Sequence, residues 1–365
     1  MRIIVVSAVN LRSGGPLSVL KDSLRVLNDE FSASYKVIAL VHKKEMFEEF
    51  KKIEFVEFPN SIGSYFYRIY LEYFYFKKLS KQLKPYLWFS LHDITPNVEA
   101  EVRAVYCHNA TPFYKTTLAD LFRDPKIFLF SKFYKFLYAI NIRKNNFVVV
   151  QQEWIANEFK KNYSVDDIVV AKPEVPEFLV NKSGDVKADT FTFFYPSFPR
   201  SFKNFEVVCQ ASKILNERGV NNFQAVLTID GFENNYSKKI LKSYKHINSI
   251  SFVGLLSREE VFKYYSIADT LIFPSKLETW GLPISEFQAT HKPLLVSDLP
   301  YAYETVGNYE KVAFFDPLNA EELAQLMQDS IEGKIVYTGN HLQLSNDLHT
   351  KNWQELFAVL LNLET

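Results

Sequence analysis

Asp269-Thr-Leu-Ile-Phe-Pro-Ser-Lys-Leu-Glu-Thr-Trp-Gly-Leu-Pro-Ile-Ser-Glu286 reads as a short buried strand, a loop and a helix start. Thr270–Phe273 is an apolar run closed by Pro274. The chain turns at Gly281. Pro283 stands where a first helical position is expected, because its fixed φ suits a helix start and its missing N–H is not needed there. Glu286 then falls on the first turn of a helix and Glu278 in the loop before it, eight positions apart. Free backbone N–H groups at such a start can hold a phosphate, which leaves the two carboxylates for hydroxyl groups on either side of it. Carboxylates accept well from sugar hydroxyls and are repelled by phosphate, so the arrangement points to a nucleotide-sugar site. Without its surroundings, such a pair would be two solvent-facing residues of an ordinary strand-loop-helix unit.

The surroundings repeat the same alternation. Arg2–Ser7, Tyr35–Val41, Tyr86–Leu91, Ala104–Cys107 and Asn146–Val150 read as strands of a first sheet, with helical stretches between them. Phe191–Tyr195, Gln224–Ile229, Ser249–Val253, Thr270–Phe273, Leu294–Val296 and Val312–Phe315 read as a second set. This predicts an α/β chain of two doubly wound Rossmann-like domains with mostly parallel sheets. Ligands would sit at the carboxyl ends of the strands, in a central cleft between the domains. The proline-punctuated, then polar stretch Lys172–Lys187 marks the boundary. The expected division is an acceptor-binding domain over 1–180, a nucleotide-sugar-binding domain over 181–345, and a C-terminal helix in 346–365 packing back on the first domain.

A chain of 365 residues, 47% of them hydrophobic, can bury two large cores. Cys107 and Cys209 make no disulfide framework and suggest a reducing compartment. Met1–Ser7 is too short an apolar run for a secretory segment, and no stretch of ~18 apolar residues occurs. The expected location is cytoplasmic, at most resting on the inner face of the cell membrane. Charge is zero overall but uneven: residues 1–150 carry 22 Lys and Arg against 14 Asp and Glu, residues 151–365 carry 20 against 28. Two domains with different partners would show such an asymmetry.

The motif Glu278-x-x-Gly281-Leu-Pro283-x-x-Glu286, preceded by Phe273-Pro-Ser275 and followed by Lys292-Pro-Leu-Leu-Val-Ser-Asp298, resembles the nucleotide-binding motif of the retaining glycosyltransferases of the GT-B fold, family 4 or group 1 type. The resemblance continues through Phe252-Val-Gly254-Leu-Leu-Ser257, Tyr264–Asp269 and Phe314–Asn319. It covers the second half of the chain well and the first half in patches. It implies that Glu286 binds the ribose, that Glu278 lies against the donor sugar, and that Thr279, Trp280, Gly281, Leu282 and Gly254 line the donor. Such enzymes are thought to let the acceptor hydroxyl attack on the face the diphosphate leaves, a phosphate oxygen taking the proton. Glu278 is then a positioning and electrostatic group.

Smaller signals carry the same resemblance. Ser13-Gly-Gly-Pro-Leu-Ser18 follows the first strand and lets the backbone approach a ligand closely. It is not the Gly-x-Gly-x-x-Gly fingerprint of dinucleotide binding. The family has a similar glycine pair near the diphosphate, which assigns Gly14 and Gly15. In Phe194–Asn204, Lys203 and Arg200 are cations suited to a leaving diphosphate. The family pattern has an Arg about five residues before the Lys. Phe198 holds that place here and Arg200 stands three before, so Lys203 is the firmer transfer. His108, ending Tyr106-Cys-His108, matches a histidine the family places close to the transferred sugar. A Cys107–His108 dyad is excluded, because adjacent strand residues point to opposite faces.

No Asp-x-Asp, His-x-x-x-His or Cys-x-x-Cys occurs, so neither a metal nor a cofactor is expected and fixed protein charges would serve the leaving group. Nucleic acid is not an expected partner. Ser64–Lys78 and Ile127–Tyr138 are basic and aromatic, which suits an anionic membrane surface carrying a lipid-linked acceptor. Most of these rings are nonetheless expected in the core of the first domain, with one face left for lipid. The reading is a retaining, metal-independent glycosyltransferase moving a sugar from a nucleotide-sugar donor to a glycan or lipid-linked acceptor, in bacterial surface polysaccharide synthesis (O-antigen or capsule). A nucleotide-sugar epimerase on the same fold and a non-catalytic nucleotide-sugar-binding subunit remain open beside it.

Overall fold

Runs of Ile, Val, Leu and Phe without polar alternation form strands buried on both faces, the signature of parallel sheets covered by helices. The computed structural model describes residues 1–114, 116, 125–173, 190–340 and 348–363. The chain divides into two units, one of Met1–Tyr114, Phe130–Glu174 and Leu344–Thr365, the other of Lys115–Leu129 and Val175–Gln343. The expected boundary at 180/181 lies outside the described residues.

In chain order the strands are β1 (Arg2–Ala8), β2 (Tyr35–Val41), β3 (Glu54–Glu57), β4 (Leu87–Ser90), β5 (Val102–Cys107), β6 (Phe147–Val150) and β7 (Ile168–Ala171) in the first unit. The second unit holds β8 (Phe191–Tyr195), β9 (Phe223–Leu227), β10 (Ile250–Phe252), β11 (Thr270–Phe273), β12 (Leu294–Ser297) and β13 (Val312–Phe315). β14 (Leu348–Thr350) returns to the first.

The first sheet is β14-β7-β6-β5-β4-β1-β2-β3, every pair parallel. β1 is central, with Val5 opposite Ile38 on one side and Trp88 on the other. Ile4, Val6 and Ala8 enter one core cluster and Val5 another, the period-two alternation of a strand covered on both faces. The first cluster also takes Trp353, Leu356, Phe357 and Leu360 from the helix Trp353–Leu360, each apolar side chain contributing roughly 1.5–3 kcal/mol. β3, β7 and β14 are additions to the five strands expected in this sheet. β3 is a half-exposed Glu-Phe-Val-Glu edge, while β7 and β14 are only four and three residues long. Their pairing comes from neighbours distant in sequence.

The second sheet is β10-β9-β8-β11-β12-β13, again parallel throughout. In both sheets the order reverses beside the first strand, between β1 and β4 and between β8 and β11. Doubly wound sheets bind ligands at the carboxyl ends of strands at such a reversal.

Candidate active site

In the second unit the reversal brings together the loops after β8 and β11. β8 ends at Tyr195, whose hydroxyl donates to the Lys203 carbonyl at 2.7 Å. Asn204 takes the left-handed conformation (φ 59°), and its buried amide donates to the carbonyls of Pro274 (3.2 Å) and Pro317 (2.7 Å). The loop after β8 is thus tied to those after β11 and β13, and Lys203 cannot swing freely. Its ammonium pairs with the Glu278 carboxylate and lies 5.7 and 5.9 Å from the ring centres of Phe202 and Phe273. Two residues 75 positions apart therefore form one half-buried ion pair at the sheet edge.

Gly281 opens the helix Leu282–Gln288 with φ +88°, and a Cβ there would stand 3.3 Å from both Phe273 and Ile284. Only glycine meets both demands. Pro283 is the second helical residue and Glu286 the fifth, one position later in each case than the sequence suggests. Ile284 N–H already donates to Gly281 O at 2.9 Å and Pro283 has no N–H, so this start offers fewer free amides than expected. Trp280 is fixed by its indole N–H on Ser285 Oγ (3.0 Å) and by the Thr305 hydroxyl donating to its carbonyl. Thr279 and Leu282 are half-buried beside it.

Glu286 sits deeper. Its Oε1 accepts from Arg258 at 3.0 Å and its Oε2 from the Tyr265 hydroxyl at 3.0 Å. Burial raises its carboxyl above the ordinary value, against Tyr265 and Arg258, which lower it. Each oxygen keeps a second lone pair, so a ligand hydroxyl can still be accepted. Gly254, after β10, has φ +73°, and a Cβ would come within 3.0 Å of Asp230 Oδ2. Arg200 is exposed and lies over the Phe198 ring at 5.2 Å, and its backbone carbonyl accepts the Lys203 amide. Its side chain is not part of the Lys203–Glu278 pair.

Residues 177–343 match the family described as glycosyl transferases group 1. That segment belongs to this family. The O-antigen chain mannosyltransferase RfbU of Salmonella typhimurium is 23% identical over 211 residues, 56% of this chain and 55% of that protein. The match therefore spans about half the length of the relative. Among solved structures, sucrose-phosphate synthase from Thermosynechococcus elongatus superposes with a TM-score of 0.64 at 14% identity, covering 92% of this chain and 90% of that one. Anabaena HepE in complex with UDP-glucose gives 0.61 at 14% identity, covering 91% and 90%. These likenesses establish the GT-B-type fold, two parallel α/β sheets in one chain.

In the first unit, Gly14 (φ +68°) begins the helix Gly14–Val26 just past β1. Gly15 would admit a Cβ with nothing within 4 Å, so packing inside the protein does not require it. His108 follows β5, its Nε2 3.7 Å from Asp93 Oδ2. Cys107 beside it is buried, its thiol pushed well above the ordinary value by burial, so it is not a nucleophile.

The sequence reading did not single out His92, Asp93, Arg68 and Glu72. His92 is fully buried past the end of β4, with Nε2 3.1 Å from Ser7 Oγ and 3.2 Å from Glu72 Oε1. Arg68 Nη2 lies 3.4 Å from His92 Nδ1 and donates to its carbonyl at 3.2 Å. The available signal was a His-Asp pair at the carboxyl end of a buried strand. Burial pushes the Glu72 carboxyl up to about 8 despite Arg68, and burial followed by Arg68 pushes His92 well below its ordinary value. Native Glu72 thus keeps its proton from the ordinary value of 4.5 up to about 8, where the unfolded chain has released it. Its contribution to stability accordingly falls as pH rises through that window and is lowest above it. Melting curves should show Glu72→Gln gaining on the wild type between about pH 5 and 8. A constant difference would mean that this carboxyl titrates alike in the folded and the unfolded chain.

Among the described residues, no group of three or more His, Cys, Asp or Glu could hold a metal ion. Among them, no helix is long and apolar enough to cross a membrane.

Proposed function

We propose that this chain transfers a sugar, with retention of configuration, from a nucleotide-sugar donor to a glycan or lipid-linked acceptor in bacterial surface polysaccharide synthesis. The observation that carries the reading is the Lys203–Glu278 pair beside the Gly281 turn, at the strand-order reversal of a group 1 glycosyltransferase segment. In this reading Lys203, held in place, faces the diphosphate, Glu278 accepts from a donor hydroxyl, and Glu286 accepts from the ribose. The acceptor hydroxyl attacks the anomeric carbon as the bond to the diphosphate breaks, and a phosphate oxygen takes its proton. The first unit serves the acceptor, and His108 touches the transferred sugar. RfbU acts in O-antigen synthesis by its name, and HepE was solved with UDP-glucose, which supports the substrate class.

The test is to incubate the protein with a panel of nucleotide sugars and lipid-linked glycans, with and without EDTA. The expected result is a product linked with the donor's own anomeric configuration and free nucleoside diphosphate, formed equally in both arms. Consumption of donor alone would indicate an epimerase. Binding without consumption would indicate a non-catalytic subunit.

An acceptor met at a membrane surface is supported by the helical run Tyr65–Tyr70, Leu71–Tyr75 and Phe76–Leu83, whose middle stretch takes the wider π form. Most of its rings point outward, contrary to the core-packing account: only Phe76 is fully buried, whereas Phe66 is 86% and Phe74 66% exposed. On the helix Pro125–Ala139 the rings divide: Tyr134 and Tyr138 are buried in a core cluster, as expected, while Phe133 and Phe136 are exposed. Lys77, Lys78, Lys132 and Lys135 are exposed beside these rings, the composition of a surface that rests on an anionic bilayer at the inner face of the cell membrane. The protein should co-sediment with vesicles of acidic lipid and be released by salt, since attraction is screened within ~10 Å at 0.1 M. Charge reversal at Lys77 and Lys78 should weaken this binding. Equal partitioning onto neutral vesicles would remove the electrostatic part of the idea.

A further inference from the structure

The two oxygens of Glu286 are aimed by a single helix. Arg258 and Tyr265, the donors to Oε1 and Oε2, both belong to the helix Arg258–Ile267. Arg258 reaches in from solvent, so the fully buried Tyr265 is the firmer of the two. Its ring packs against Phe194, Phe262 and Phe287, and its hydroxyl meets Glu286 only while its backbone keeps its place.

The start of that helix is capped locally, the Ser257 hydroxyl accepting from the Glu260 amide at 3.3 Å. Its end is closed by a residue distant in sequence. The chain leaves at Ala268 in an extended conformation (ψ 140°), and the carbonyls of a last helical turn lack donors within the helix. Lys292 supplies them: its ammonium donates to the carbonyls of Ser266 (2.6 Å), Ala268 (2.7 Å) and Tyr265 (3.3 Å). All three of its N–H groups are used, and its charge lies at the negative end of the helix dipole. Burial lowers this ammonium from its ordinary value, against the charge of Asp269.

Lys292 stands six residues after Glu286 and is tied to the helix that carries it. Its amide donates to the Thr290 hydroxyl (3.3 Å), which donates to the carbonyl of Phe287 (2.7 Å). The Tyr309 hydroxyl donates to the Lys292 carbonyl at 2.6 Å. A closed circuit results, from Glu286 along the chain to Lys292, across to the Tyr265 backbone, and back through the Tyr265 hydroxyl to Glu286.

We propose that Lys292 is a positioning residue for the nucleotide, which by fixing the backbone of Tyr265 aims the Glu286 carboxylate at the ribose. This deepens the glycosyltransferase reading and rests on its assignment of the ribose to Glu286. The test is calorimetry with UDP, GDP and ADP and with the 2′,3′-dideoxy form of each. The wild type should prefer the ribose form of the nucleotide it binds by roughly 10–100-fold. Lys292→Met keeps the apolar stem and removes the charge and the donors. It should lose roughly tenfold in affinity for the ribose form, as loss of an outer partner does at a metal ligand, and nothing for the dideoxy form. In turnover, KM for the nucleotide sugar should rise while kcat stays. In a Tyr265→Phe background, where the link to Glu286 is already cut, Lys292→Met should cost no further affinity, although it lowers the melting temperature in both.

A Lys292→Met protein that melts earlier but keeps the ribose preference overturns the inference, leaving Lys292 as the cap of a helix. Equal losses for the ribose and dideoxy forms, or a full loss repeated in Tyr265→Phe, overturn it as well. A wild type that binds both forms alike, or none of them, overturns the ribose assignment and this inference with it. The wild type also gives a check that needs no variant. As pH rises to 10.5, Lys292 loses its proton and one N–H, while the hydroxyls of Tyr265 and Tyr309 titrate higher. The ribose preference should shrink over that rise, and a constant ratio overturns the assignment of Lys292.

Discussion

Replacing Lys203 by alanine is expected to lower kcat by roughly 10²–10³, as for removal of one preorganised donor to a developing anion. The diphosphate gains charge as its bond to the sugar breaks, so a fixed cation is worth more in the transition state than in the bound ground state. Lys203 is fixed: Tyr195 and Asn204 anchor its backbone, and Glu278 with two aromatic rings holds its ammonium. Affinity for the nucleoside diphosphate should accordingly fall by less than about tenfold. Steady-state kinetics together with calorimetry of nucleotide binding separate the two quantities. A loss of equal size in both would reduce Lys203 to ordinary ground-state binding.

Glu286→Ala should act on the other side of that balance. Nucleotide affinity is expected to fall by roughly 10–100-fold, the loss of a charged acceptor for a ribose hydroxyl at 1.5–3 kcal/mol. The structure adds a second effect. The Tyr265 hydroxyl, fully buried and kept protonated by burial and the nearby Glu286 charge, donates to Glu286 and would lose its acceptor. A hydrogen bond to a charged group contributes about 1.5–3 kcal/mol, so the melting temperature should drop as well. Arg258 is largely in water and its loss of a partner matters little. Glu286→Gln returns an acceptor to Tyr265 and should recover most of the thermal loss but only part of the affinity. Unchanged affinity in the alanine variant would take Glu286 out of the site.

The two variants also mark what sequence could disclose. All six strands of the second sheet are visible as apolar runs, most of them largely buried. β3, β7 and β14 are not, since a strand of three or four residues, two of these at the sheet edges, gains its conformation from the neighbour it pairs with. In the same way Gly281 and Pro283 announce a turn and a helix start through local backbone chemistry. No local pattern says that Lys203 meets Glu278, or that Arg258 and Tyr265 meet Glu286, because those pairings follow from strand order. His92 and Asp93 escaped notice for a related reason. Leu91-His-Asp-Ile94 matches no spacing rule, and its interest lies in the left-handed turn of Asp93 and in Glu72 and Tyr138 arriving from elsewhere.

The helix Trp353–Leu360 sets a timetable for the chain's birth. Its side chains complete a core otherwise built mainly from the helix Gly14–Val26 and strands β1, β2, β4, β5, β6 and β7, made long before it on the ribosome. At about 5–20 residues per second, those strands wait on the order of ten seconds or more, while the second unit is synthesised, before their last apolar layer emerges. The second unit has no such debt and can fold as soon as its own strands are out. The newborn first unit would spend that interval with an unfilled groove, the period in which it most needs a chaperone.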